Sequence, residues 1–227
     1  MGSNGKSIPH GPNNISAFGL NLSLAPATGG GCVYQGPFVN YTVNLGPVAF
    51  APIDGDGGLD YNPRCLGRDL SLVWSNNTKP TDVVRTISSC TDLGCFDTVL
   101  EALEGIHAGG HFTIGSLNDD AYASAGDPAF WLHHSQIDRV WTIWQSLNPA
   151  NRTHQVYGTS TAFNSGSRSH FPHLPKDKSV LMRPILLDPP SPNVTLDTSI
   201  NFGVLAPQQP IHNLVSSIDG PFCYMYI

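Results

Sequence analysis

Charge is scarce in this chain. Charged residues make up 12% of its 227 residues, about half the usual ~25% share. The 17 acidic and 11 basic residues leave a net charge of −6. No basic cluster offsets that balance, which argues against nucleic acid or an anionic membrane surface as partner. A run of ~18 apolar residues is also missing, so no membrane span is expected. Met1 to Lys6 show no hydrophobic signal segment. Neither an internal repeat nor a low-complexity tract appears.

Histidine and the structure breakers supply the pattern. The hydrophobic share is an ordinary 40%, with 23 glycines and 19 prolines. The length allows one domain or a modest pair with a buried core, and Gly and Pro favour irregular connections. Three zones follow. Residues 1–96 form a loop-rich arm, whose best extended segment, Val43 to Phe50, is kept from being a central strand by Pro47. Residues 97–148 form a helical core, and residues 149–227 a Pro-rich return closing on Tyr224 and Tyr226. In the core, Asp97 suits an N-cap, and Val99, Leu100, Leu103, Ile106 and His107 recur at helical spacing. Asp127 and Pro128 open a second helix. The expectation is a mainly α core on two helices, about residues 98–110 and 128–147.

His107-Ala-Gly-Gly-His111 sets two imidazoles one helical turn apart on one face. Gly109 and Gly110 weaken that helix by ~1 kcal/mol each relative to Ala, which suggests that small residues are wanted beside the site. The second helix carries His133-His134. Adjacent helical residues point ~100° apart, so one of the two is the third ligand. His134 has Asp138 one turn later, where a carboxylate can support an imidazole from behind; His133 lacks such a partner. His107, His111 and His134 are therefore the expected ligands, with His133 and Asp138 as supporting neighbours. Three neutral imidazoles suit copper or zinc and leave a coordination position open. His170-Phe-Pro-His173 is set aside because Pro172 breaks helical geometry, and the phosphate-loop mimic Gly2 to Ser7 because it lacks the upstream glycine and strand.

The string Asp127-Pro-Ala-Phe-Trp-Leu-His-His-Ser-Gln-Ile-Asp138-Arg139, continued through Trp141, Trp144 and Gln145, resembles the second copper half of the tyrosinases, the type-3 copper phenol oxidases. Gly29 to Val33, Asn62 to Leu66, Gly110 to Gly115 and the closing Phe222-Cys-Tyr-Met-Tyr226 are similar to ascomycete members. The resemblance implies a di-copper four-helix bundle, of which this chain offers two helices. It implies oxidation of phenols and o-diphenols to o-quinones by dioxygen, in pigment or secondary-metabolite formation, and it uses the second histidine of the pair, His134. Phe112 and Phe130 become candidates for contact with the phenol. Ala108, where some members carry Asn, leans toward diphenol oxidation. Family members bear a Trp-His-Arg motif at a first copper site. None of Trp74, Trp131, Trp141 and Trp144 is followed by His, and only His10 precedes His107. The chain is thus expected to be an N-terminally incomplete copper-binding domain over 1–227, holding one copper where the family holds two. The alternative is a copper-binding but catalytically silent half, or a half completed by a second chain.

Sequons at Asn14, Asn21, Asn40, Asn76, Asn151 and Asn193 make glycosylation and passage through the secretory route the expectation. Of the five cysteines, Cys90 and Cys95 enclose a short loop, Cys32 and Cys65 are available to one another, and Cys223 is left over. Disulfides and free thiols are both open.

Overall fold

A computed structural model describes residues 12–17, 20–25, 27, 30–49, 58, 60–160 and 191–227. His10, the Gly2–Ser7 segment and the His170–His173 pair lie outside the described residues. The architecture is mostly helical, in agreement with the expected fold class. Among the described residues six α-helices carry it: α1 (Leu72–Ser75), α2 (Pro80–Ser88), α3 (Leu93–Leu100), α4 (Ile106–Ile114), α5 (Pro128–Ser146) and α6 (Pro149–Arg152). The described residues also form three two-stranded antiparallel sheets: β1 (Asn13–Ala17) with β2 (Leu20–Leu24), β3 (Thr42–Val43) with β4 (Arg64–Cys65), and β5 (Ser199–Ile200) with β6 (Gln209–Pro210).

Helix α5 starts where the sequence places it. Pro128 occupies the first turn, and the Asp127 side chain accepts from the Ala129 backbone N–H at 2.8 Å, satisfying a donor that the helix leaves unpaired. Asp127 is fully buried, and its charge is met by Arg68, whose two terminal nitrogens reach both carboxylate oxygens, Nη2 to Oδ1 at 2.9 Å. Asn118 adds an amide N–H to Asp127 Oδ2 at 2.6 Å. The arm thereby reaches into the helical core.

The single helix expected over residues 98–110 is instead two. Asp92, not Asp97, caps α3, accepting from Cys95 N–H at 3.0 Å. The chain then turns at 101–105 and restarts as α4 from Gly105. A Cβ on Gly105 would lie 2.4 Å from the Leu100 carbonyl oxygen, so this tight reversal needs glycine. The apolar spacing survives the break because Leu100 and Ile106 fall into one core cluster from either side of it. That cluster joins Cys90, Phe96, Leu100, Ile106, Val140 and Trp144. Phe96 stacks on Trp144 at 4.7 Å, and Trp144 Nε1 donates to the Cys90 carbonyl at 3.0 Å.

Both proposed cysteine pairs are disulfides, Cys32–Cys65 and Cys90–Cys95, and Cys223 is free and exposed. Sequon residues Asn14, Asn40, Asn76, Asn151 and Asn193 are exposed; the Asn21 side chain is outside the described set. No helix among the described residues is long and apolar enough to cross a membrane.

Candidate metal centre

Helix α4 brings His107 and His111 to one face, and α5 brings His133 and His134 across from them. His107 Nδ1 lies 2.7 Å from Glu101 Oε2, and His111 Nδ1 lies 2.9 Å from the Asn118 carbonyl oxygen. Both partners only accept, so the proton of each neutral imidazole belongs on Nδ1 and each Nε2 carries a bare lone pair. Those two Nε2 atoms sit 3.2 Å apart, and His134 Nε2 sits 3.1 Å from that of His111. Bare lone pairs at that separation repel one another unless a cation lies between them. Two imidazole nitrogens bound at ~2.0–2.1 Å to one tetrahedral ion are about 3.3 Å apart, close to the separations found.

The surroundings keep the imidazoles neutral. Burial pushes the His111 pKa down to about 3, helped by the neighbouring His107, His133 and His134. Burial likewise lowers His133 to about 4 and shifts His134 downward. At neutral pH these imidazoles are uncharged, the form that binds metal.

His133 is placed differently. Its Nε2–H donates to the His107 carbonyl at 2.9 Å, and its ring lies nearly parallel to that of His107, 5.6 Å away at 18°. A Cβ on Gly110 would fall 2.1 Å from His133 Cε1 and 2.5 Å from Nδ1, so the ring rests on the bare α4 backbone. The small residue wanted at 110 makes room for an imidazole. At 109 a Cβ would press on Asn77 and Thr78 at 3.0 and 3.2 Å. By mutual proximity, the group among the described residues able to hold one metal ion is His107, His111 and His133, with nitrogens within 4.8 Å of one another.

Other expected site residues have different partners. Asp138 does not back His134: its Oδ2 accepts from Tyr224 O–H at 2.7 Å and from Tyr226 O–H. That clasp fastens the closing Tyr-x-Tyr to α5, and burial together with the carboxylate pushes the Tyr224 hydroxyl up to about 12. Phe112 tilts against Trp74 at 4.8 Å and packs on the cluster of Ile15, Leu24 and Ala49. Phe130 stacks on His134 at 3.9 Å and 25°, so it braces a histidine with one of its faces. Trp131 and Leu132 are exposed beside them. Glu101 and Asn118, which orient His107 and His111, carried no sequence signal. Glu101 comes within reach only through the turn at 101–105, and Asn118 acts through its main chain.

The family model described as the common central domain of tyrosinase matches residues 1–147. Tyrosinase P of Aspergillus terreus is 35% identical over 222 residues, covering 92% of this chain and 55% of the relative. Oxidase hkm6 of Aspergillus hancockii is 33% identical over 221 residues, covering 91% of the chain and 68% of the relative. A solved polyphenol oxidase variant from Thermothelomyces thermophila superposes with a TM-score of 0.76 at 36% identity, covering 100% of this chain and 59% of that one. The chain thus spans little more than half the length of Tyrosinase P and of the solved enzyme.

Proposed function

Because the chain belongs to the tyrosinase family, we propose that His107, His111 and His134 hold one copper ion and serve as half of a phenol-oxidising centre acting on phenols or o-diphenols with dioxygen. The observation that supports this most is the position of His111 Nε2, 3.2 Å from that of His107 and 3.1 Å from that of His134, with His107 and His111 oriented by acceptors at Nδ1. Mutual proximity groups His133, not His134, with His107 and His111. Its Nε2, however, is committed to the His107 carbonyl, which leaves only Nδ1 for an ion. His134 Nε2 is free to turn to a shared ion.

Copper bound here would supply one-electron redox chemistry. Converting an o-diphenol to an o-quinone removes two electrons and two protons, so the 227-residue chain carrying one copper should show little catechol oxidation by itself. A second copper site, from a preceding half, a second copy or another chain, completes the activity in this reading. Its alternative is a half that binds copper and stays silent. The two disulfides and the exposed sequon asparagines support an oxidising, secretory setting. In this reading the oxidation serves pigment or secondary-metabolite formation, as the family resemblance implies.

Metal analysis of the dialysed, copper-loaded chain tests the proposal. The expected result is one copper per chain with an ordinary cupric paramagnetic resonance signal, lost in His107→Ala and His134→Ala. Two tightly held coppers per monomer, or unchanged binding in His134→Ala, would overturn it.

A further inference from the structure

We propose that His133 is a positioning residue that locks α4 to α5 at the spacing the metal ligands need, and that residue 110 is glycine in order to admit the His133 ring. The inference rests on the reading that His107, His111 and His134 are the ligands.

Two ligands ride on α4 and one on α5, so their convergence depends on how the helices sit against each other. Core packing of Ile106 with Val140 and Trp144 and the Asn118 bond to Asp127 hold the two helices together away from the ligands. His133 acts at the site itself. Its Nε2–H reaches the carbonyl of His107, itself a ligand residue, at 2.9 Å. That carbonyl sits in the first turn of α4 and has a second lone pair to offer beyond the helical bond. The ring occupies the space that a Cβ on Gly110 would take, one residue before ligand His111. A single side chain from α5 thus sets both the height and the separation of α4, bonding beside one ligand and packing beside the other. The residue that carries it adjoins the third ligand, His134.

The fit is tight in a way that can be tested. A methyl at 110 would overlap Cε1, Nδ1 and Nε2 of His133 at 2.1, 2.5 and 2.7 Å, so the ring must withdraw and surrender its hydrogen bond. Alanine is otherwise the better helix former, so a loss on Gly110→Ala isolates the ring contact. In a chain that already lacks the ring, the same change should cost nothing.

The experiment uses the 227-residue chain with Gly110→Ala, His133→Ala, their double variant, His133→Gln, His133→Phe and His134→Phe. It reads copper content, Cu(II) affinity by chelator competition, the cupric paramagnetic resonance spectrum and the melting temperature of the metal-free chain. His133→Gln keeps an N–H donor at similar reach and should retain wild-type copper content and spectrum. His133→Phe keeps a ring without the donor and should bind one copper roughly 10–100-fold more weakly, with a shifted spectrum. Gly110→Ala should match His133→Ala in affinity, and the double variant should be no worse than His133→Ala alone. Loss of copper in His133→Gln with retention in His134→Phe would make His133 a ligand and refute the lock. Additive effects of the 110 and 133 changes would refute it as well. If the wild-type chain binds no copper, the functional reading fails by itself; non-additive melting temperatures of the metal-free variants would then uphold the lock, and additive ones would remove it.

Discussion

Arg68→Leu tests how the arm holds the helical core. Arg68 is 3% exposed and Asp127 0% exposed, so the guanidinium is the buried counter-charge of the carboxylate that caps α5. Leucine fills part of the space and leaves Asp127 with the Asn118 amide and the Ala129 N–H only. Stranding one partner of a buried ion pair costs about 3–5 kcal/mol. At ~2–4 °C per kcal/mol for a chain of this size, the melting temperature should fall by roughly 6–20 °C. In urea the midpoint should drop by about 1–2 M with an unchanged slope. Adding Asp127→Asn removes the stranded charge while retaining a side chain that can cap the helix. The double variant should therefore lose much less than the two single variants together, with a coupling of about 2 kcal/mol or more. A single-variant loss below ~1 kcal/mol, or an additive cycle, would show that the pair does not anchor the start of α5.

Three further outcomes follow from the structure. Glu101→Leu removes the acceptor at His107 Nδ1 and should weaken Cu(II) binding roughly 10–100-fold, with Glu101→Gln milder because its carbonyl still accepts; equal affinities by chelator competition would exclude that role. Burial, with Asp69 nearby, raises the Asp119 pKa to about 8, above its unfolded value of ~3.9. Between those values the folded chain binds more protons, so Asp119 detracts from stability progressively as pH rises from about 4 to 8. Asp119→Asn should accordingly gain more in urea midpoint at pH 8 than at pH 5, and an equal gain at both would contradict this. Breaking Cys32–Cys65, with a separation of 33, should cost roughly 4 kcal/mol, against about 2 kcal/mol for Cys90–Cys95, with a separation of 5; denaturation of the paired serine variants gives the ranking.

What could be read from the sequence was local or carried by a long motif. Asp127 and Pro128 announce α5 because capping acts within three residues. The imidazole pair on α4 follows from helical period alone. The break at Gly105 was hidden because apolar spacing continues across it, while the need for glycine arises from carbonyls that crowd only once the turn has formed. Asp138 was assigned to His134 by proximity on the helix, yet its partners come from Tyr224 and Tyr226, 86 and 88 residues away. Phe112 and Phe130 were identifiable as aromatics near the ligands. What their faces meet depends on tertiary packing, which put Trp74 against one and His134 against the other.

Asn118 has a consequence for how such a site tolerates change over generations. Its carbonyl orients His111, and its amide donates to Asp127 at the head of α5. A carbonyl cannot be substituted away, so every residue at 118 would still offer His111 an acceptor. Inheritance can alter only the direction in which that acceptor points, through the side chain that pins it. Variation at 118 should therefore tune the centre by degrees, whereas at Glu101, where the acceptor is itself the side chain, one codon can remove it outright.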